Sequence, residues 1–274
     1  MKLPAILLTA CTLLAVPAVH AQDWALARLE GKSPRHQEYV KIPTATRPLQ
    51  VFVTYPQVST KATVVIVIHE NMGLTDWARS MTDELAEAGY IAIAVDLITQ
   101  ADGKTTPDIV AGKVTGLTAG QAISALTPDG ITADLNATVA YAMKGIPSAN
   151  GKVVVAGFCW GGQQTFRFAT NNKDIKSAFS FYGPQPTNAA DIARITAPVY
   201  GFYAGNDMRV NATIPQTTEL MKAAGKTYEP VIFAEGSGHG FMRAGDPAAP
   251  DATAPNKAAR EAAWARFLDL LKKI

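Results

Sequence analysis

Val153-Val154-Val155-Ala156-Gly157-Phe158-Cys159-Trp160-Gly161-Gly162 is the stretch that decides how this chain is read. The apolar, β-branched run predicts a strand buried on both faces. Gly-x-Cys-x-Gly directly after it predicts a sharp strand-to-helix turn, a nucleophile elbow with sulfur in place of the usual serine oxygen. Glycines on either side remove Cβ atoms that would collide where the strand reverses into a helix. Such a turn lifts residue 159 above the strand ends, at the first turn of the next helix. The helix dipole and free N–H groups there favour negative charge on sulfur and later on an oxyanion. The bland alternative is a small buried cysteine in a capping turn, and the sequence around it weighs against that.

Strand and helix signals alternate on both sides of this run. Upstream, residues 49–55 read as a strand stopped by Pro56, and residues 62–68 as a continuous β-branched strand of a parallel sheet. Asp76 is placed to cap a helix with Trp77, Met81, Leu85 and Ala88 on one face, ended by Gly89; residues 90–95 form the next strand. Residues 96–128 are less regular and are expected to form a cap or part of a substrate pocket. A helix carrying Ile131, Leu135, Val139 and Met143 follows, closed by Gly145 and Pro147. Downstream of the elbow come strands at 175–182, 199–204 and 227–234 and a helix over 211–224. A last helix is capped by Asn256 and striped by Trp264, Phe267, Leu268 and Leu271. The expected fold class is α/β, with one mostly parallel sheet and helices on both faces.

Residues 1–21 read as a signal peptide: Lys2, an apolar stretch, then Val19-His20-Ala21 as the cleavage site. Pro4 and Pro17 interrupt the apolar part, which is short for a membrane span. Leu8-Thr9-Ala10-Cys11 resembles a lipoprotein box but comes very early, so cleavage and release to the periplasm or medium is the favoured reading. Residues 22–48, with Pro34, Pro43 and Pro48, form an entry segment holding at most a short strand near 38–42. Residues 49–274 form the one large domain. The formal charge of +2 includes Lys2 and does not point to nucleic acid or an anionic membrane as partner. Only two cysteines are present, and cleavage would remove Cys11. A lone Cys159 in an oxidising compartment has no disulfide partner, which implies that its sulfur is needed or well shielded.

A cysteine nucleophile needs a base, and the base an orienting acid; elbow folds order them nucleophile, acid, histidine. His36 lies before the sheet. His239, in Gly236-Ser237-Gly238-His239-Gly240, follows the last strand and is the expected base. Asp207, after the strand before it, is the expected acid, with turn formation or helix capping as its alternative role. His69-Glu70-Asn71-Met72-Gly73 follows the first buried strand, at the loop that supplies an oxyanion donor. Backbone N–H groups of Trp160 and Asn71 are the expected pair. Glu70 is either a second partner for the thiol or a surface loop residue.

Gly-Phe-Cys-Trp-Gly-Gly, the His-Glu-Asn-x-Gly-Leu loop, Gly-Tyr-Ile-Ala-Ile-Ala-x-Asp-Leu and His-Gly-Phe-x-Arg together resemble the dienelactone hydrolase family from about residue 50 to the C-terminus. The resemblance implies an α/β-hydrolase fold, a Cys159–His239–Asp207 triad and no metal or organic cofactor. It also implies that Glu70 meets the resting thiol and takes its proton when substrate binds. The family opens an unsaturated lactone whose carboxylate is held by arginines. Arg243 matches one of them and Tyr182 a pocket position. Where the other arginine belongs, this chain has Ile98-Thr99-Gln100, a departure that separates it from the dienelactone substrate itself. The expected function is hydrolysis of a small-molecule lactone or ester. Alternatives are a ligand-binding or stress protein of the same shape, and a thiol redox role for which no resolving cysteine remains.

Overall fold

The computed structural model describes residues 22–274; the expected signal segment, with Cys11, lies outside the described residues. A short helix α1 (Asp23–Ala27) runs into a π-helical turn (Arg28–Lys32) and then into β1 (Gln37–Pro43) and β2 (Pro48–Thr54). β3 (Ala62–Ile68), α2 (Asp76–Glu87) and β4 (Ile91–Val95) follow. Two short helices, α3 (Thr106–Val110) and α4 (Ala119–Ser124), fill the stretch that the sequence left irregular. Then come α5 (Pro128–Lys144), β5 (Ala149–Phe158), α6 (Trp160–Ala169), β6 (Ala178–Phe181), α7 (Ala189–Ala193) and β7 (Val199–Tyr203). The chain ends with α8 (Met208–Asn211), α9 (Ile214–Ala223), β8 (Tyr228–Ile232), α10 (Phe241–Ala244) and α11 (Ala254–Leu271).

Among the described residues, the eight strands form one sheet in the order β1-β2-β4-β3-β5-β6-β7-β8. Pairings from β4 to β8 are parallel; β1 with β2 and β2 with β4 are antiparallel. Strand alternation divides β3: Val64, Ile66 and Ile68 face one core, Val65 and Val67 the other. The first core is closed by α5 and α6 through Leu135, Val139, Phe166 and Phe168. The second is closed by α2 and α11 through Trp77, Met81, Leu85, Ala263 and Phe267. This is the doubly covered sheet expected from the β-branched runs, and it sets the carboxyl ends of β3, β5, β7 and β8 along one edge.

Several expectations shift in detail. The entry segment adds a strand to the sheet: β1 pairs along its length with β2, and Arg28, Ser33 and Arg35 converge on the buried Asp83 of α2. Thr75, not Asp76, caps α2, with its side chain accepting from Ala78 N. Met143 is 40% exposed, because one position earlier Ala142 takes the buried place on α5. The 211–224 helix is two pieces, α8 and α9, with Pro215 in the first turn of the second. Thr253 occupies the N-cap position of α11 without a side-chain hydrogen bond, whereas Asn256 points back to the loop before His239. Among the described residues, no helix is long and apolar enough to cross a membrane.

Candidate active site

Cys159 stands between β5 and α6 with φ 56° and ψ −116°, outside the regions that non-glycine residues ordinarily occupy. Such a conformation costs roughly 1–3 kcal/mol and persists because neighbours over-determine it. The glycines around it leave no alternative. A Cβ on Gly157 would stand 2.1 Å from Gly161 O, and one on Gly161 would stand 2.3 Å from Ile68 O. The elbow is therefore pressed against the end of β3. Cys159 N donates to Phe181 O at 3.0 Å, which ties the turn to β6 as well.

Asp207 follows β7 and divides its two oxygens between two tasks. Oδ1 accepts from Val210 N at 3.3 Å and caps α8; Oδ2 accepts from His239 Nδ1 at 2.5 Å. Its capping role and its expected orienting role thus coexist on one buried carboxylate. The bond to Nδ1 leaves His239 Nε2 for the sulfur. His239 is pushed up to about 9, first by hydrogen bonding with the Cys159 side chain, against burial, and then by Asp207. His239 thus meets Asp207 directly, and the Cys159 side chain is near enough to influence its ionisation.

Two positioning groups escaped the sequence reading. Ser237 binds the histidine loop to the aspartate turn: Gly205 N donates to its Oγ at 2.9 Å and Asn206 N to its carbonyl at 2.8 Å. Asn256 Oδ1 accepts from Gly238 N at 2.8 Å, anchoring the same loop to α11. In sequence, Ser237 is one small residue in a glycine run and Asn256 looks like a helix cap, so neither pointed at His239.

Glu70 and Arg243 meet each other, a contact the sequence did not announce. Arg243 Nε donates to Glu70 Oε2 at 2.9 Å, and Tyr182 Oη donates to Glu70 Oε1 at 3.2 Å. The carboxylate is thus held by a cation and a phenol, while the guanidinium engages it through Nε and its side chain stays 41% exposed. The physical reason is charge: a half-buried carboxylate gains more from an adjacent guanidinium than from a neutral thiol. Tyr182 is more than core packing. It is fully buried at φ 38°, and its ring meets those of His239 and Phe241 edge-on at 5.1 and 5.3 Å between centroids.

Asn71 is exposed in the turn after β3, and Trp160 opens α6. Among the described residues, neither backbone N–H has a hydrogen-bond partner within the protein, as an oxyanion site requires. His69, which sequence reading passed over, makes contacts on both sides. Its ring stacks on that of Trp160 at 5.5 Å and 14°, and its Nδ1 donates to Glu70 O at 2.7 Å. The α3–α4 cap completes the surroundings. Ile98, Ile109, Ala119, Ala122 and Ile123 form a small apolar cluster against which Trp160 packs. Gln100, where the second arginine was missed, donates instead to Ile98 O within its own loop. No group of three or more His, Cys, Asp or Glu side chains among the described residues stands together as metal ligands would.

Comparison with known proteins gives a consistent result. The model of the dienelactone hydrolase family matches residues 49–274. A Methylorubrum extorquens protein named "Putative carboxymethylenebutenolidase" is 30% identical over 213 residues, covering 74% of this chain and 71% of its own. The crystal structure of a "Putative Dienelactone Hydrolase" from Klebsiella pneumoniae superposes with a TM-score of 0.71 at 22% identity, over 88% of this chain and 99% of that one. A dienelactone hydrolase-like promiscuous phosphotriesterase from metagenomic libraries superposes with a TM-score of 0.67 at 20% identity, over 87% and 98%. These two structures bear on the fold. With the family match covering β3 to β8, the elbow and the histidine loop, the chain belongs to the dienelactone hydrolase family and is an enzyme of the ester- and lactone-hydrolase class.

Proposed function

We propose that the protein is an exported, cofactor-independent hydrolase of lactones or small carboxylic esters, acting through a Cys159–His239–Asp207 triad and a thioester acyl-enzyme. Sulfur of Cys159 attacks the carbonyl carbon as its proton passes to His239 Nε2. The negative charge that develops on the carbonyl oxygen is met by the Trp160 and Asn71 N–H groups. The tetrahedral species collapses, and the imidazolium gives its proton to the departing alkoxide. In a lactone that oxygen stays tethered, so the ring opens and product leaves only after deacylation. Water then attacks the thioester with His239 as base, and Cys159 leaves as the thiol. Asp207 holds the imidazole with Nδ1–H toward itself throughout, so Nε2 is always the nitrogen that works.

One observation carries this reading: the Asp207 Oδ2–His239 Nδ1 contact at 2.5 Å, together with an imidazole pushed up to about 9 by the Cys159 side chain. A bystander loop histidine would have neither. The relatives' name, carboxymethylenebutenolidase, supports a lactone as one substrate class. Glu70 is proposed to tune the site through Arg243, its partner here, and to reach the thiol only after substrate draws Arg243 away. Release to the periplasm or medium rests on the signal-like residues 1–21. The test is a panel of chromogenic esters and lactones assayed with wild type and Cys159→Ala. Wild-type turnover that disappears in the variant, with the fold retained, is the expected result. Equal turnover in both rejects the mechanism.

A further inference from the structure

We infer that His69 is a positioning residue for the oxyanion site: its Nδ1–H fixes the Glu70–Asn71 peptide so that the Asn71 N–H faces the developing charge, while its ring braces Trp160. The inference rests on the hydrolase reading above and assigns a role that the triad does not contain.

The chemistry of one hydrogen bond starts the argument. Glu70 O lies 2.7 Å from His69 Nδ1, and a carbonyl only accepts, so Nδ1 carries the proton. Glu70 C=O and Asn71 N–H belong to one planar trans peptide and point in opposite directions. Drawing the carbonyl toward the imidazole therefore turns the Asn71 N–H away from it. That N–H has no partner among the described residues. The same imidazole stacks on Trp160 at 5.5 Å, and the Trp160 N–H is the second free donor. One side chain thus touches both halves of the expected oxyanion site.

Packing makes the arrangement stiff. His69 is fully buried at the end of β3, and a Cβ on Gly161 would stand 2.4 Å from His69 O, so α6 abuts this residue directly. Nε2 is also buried and has no hydrogen-bond partner among the described residues. A buried acceptor left unpaired opposes folding, and an apolar side chain here would avoid it. The histidine thus makes sense for what Nδ1 does. Burial lowers its pKa to about 4, so the ring stays neutral with a single proton across the working range, in the one tautomer that donates to Glu70 O.

Two substitutions separate the ring from the donor. His69→Phe keeps a ring against Trp160 and loses Nδ1–H. His69→Asn loses the ring but carries an amide N–H near the Nδ1 position. Both are assayed on a p-nitrophenyl ester and with a trifluoromethyl ketone, whose adduct with Cys159 carries a full oxyanion. For His69→Phe we expect kcat to fall about 10- to 100-fold with KM within about threefold. The ketone Ki should rise by the same factor, and His69→Asn should recover most of both. A purely structural role would lower the melting temperature without making Ki track kcat. His69→Phe with kcat and Ki within about threefold of wild type would overturn the inference, as would His69→Asn equally impaired in a folded protein. If His69→Phe does not fold, His69→Leu takes its place as the variant without a donor: kcat and Ki near wild type overturn the role, and a matched loss of both that His69→Asn recovers supports it. Absence of wild-type turnover on every ester would instead reject the hydrolase reading, whereas this inference is read from the ratio of variant to wild type.

Discussion

Asp207→Asn separates the two tasks of that carboxylate. Asparagine caps helices about as well as aspartate, so the bond from Val210 N survives, whereas Asp207→Ala would lose a cap worth about 1 kcal/mol. What Asn removes is the charge opposite His239 Nδ1. Its amide NH2 then faces that nitrogen as a donor, which favours the tautomer with hydrogen on Nε2, the nitrogen that must accept the thiol proton. In serine triads the same change lowers kcat by about 10⁴. Cysteine surrenders its proton more readily, so a drop of about 10²–10⁴, or roughly 3–5 kcal/mol, is expected here. The His239 midpoint should fall from about 9 toward the ordinary imidazole value, because one of its two raising partners is gone while burial still opposes the charge. Two assays read this: the pH profile of ester hydrolysis, and the pH dependence of iodoacetamide labelling of Cys159. Stability gives an independent sign. A histidine whose folded pKa is raised stabilises fully below about 6.5, and that contribution is lost as pH climbs through about 9. The alkaline decline in melting temperature should therefore be shallower in the variant. Asp207→Asn with kcat/KM and labelling midpoint unchanged would refute the reasoning and leave Asp207 a cap alone.

Other outcomes follow from the same geometry. Glu70→Gln breaks the ion pair with Arg243 and frees the guanidinium; KM for a carboxylate-bearing lactone should fall about tenfold, near 1.4 kcal/mol, while KM for a neutral ester changes little. Equal effects on both substrates would remove Arg243 from carboxylate recognition. Gly157→Ala sets a methyl group 2.1 Å from Gly161 O and should cost about 3 kcal/mol or more, lowering the melting temperature by roughly 6–12 °C. A stable, active Ala variant would contradict the packing at the elbow. His69, buried and neutral with a pKa near 4, binds its proton more readily unfolded than folded. Stability should therefore decline as pH falls from about 6.5 to about 4, by on the order of 3 kcal/mol in total, and His69→Phe should flatten that acid slope in denaturant titrations. A slope identical to wild type would show that His69 is not the source.

Much of this could be read from the chain because the signals were local. The β-branched runs of β3 and β5 mark strands covered on both faces, and the glycines at 157 and 161 mark a turn that no Cβ would tolerate. Asp207 and His239 were found by their place after successive strands, which topology alone brings together. What stayed hidden depends on which side chains meet across the sheet edge. Glu70 and Arg243, 173 positions apart, pair because two half-buried opposite charges attract; neither local sequence records the other. Asn256 carries the composition of a helix start, yet its side-chain Oδ1 accepts from Gly238 N. His69 reads as the first loop residue after an apolar strand, and its importance rests on a peptide plane and a stacked indole. The segment before residue 48 looked like an entry because its prolines break periodicity, although β1 still pairs with β2 along the sheet margin.

The central claim is that carbonyl carbon passes through a covalent bond to one sulfur. It is tested most directly by acid-quenching the enzyme during turnover of a p-nitrophenyl ester with a bulky, slowly deacylating acyl group, then locating the acyl group by peptide mass spectrometry. The account predicts one acyl group on the peptide containing Cys159, in thioester linkage released by neutral hydroxylamine, and none in Cys159→Ala. Steady turnover with Cys159 unmodified, or with the acyl group on another residue, would contradict it.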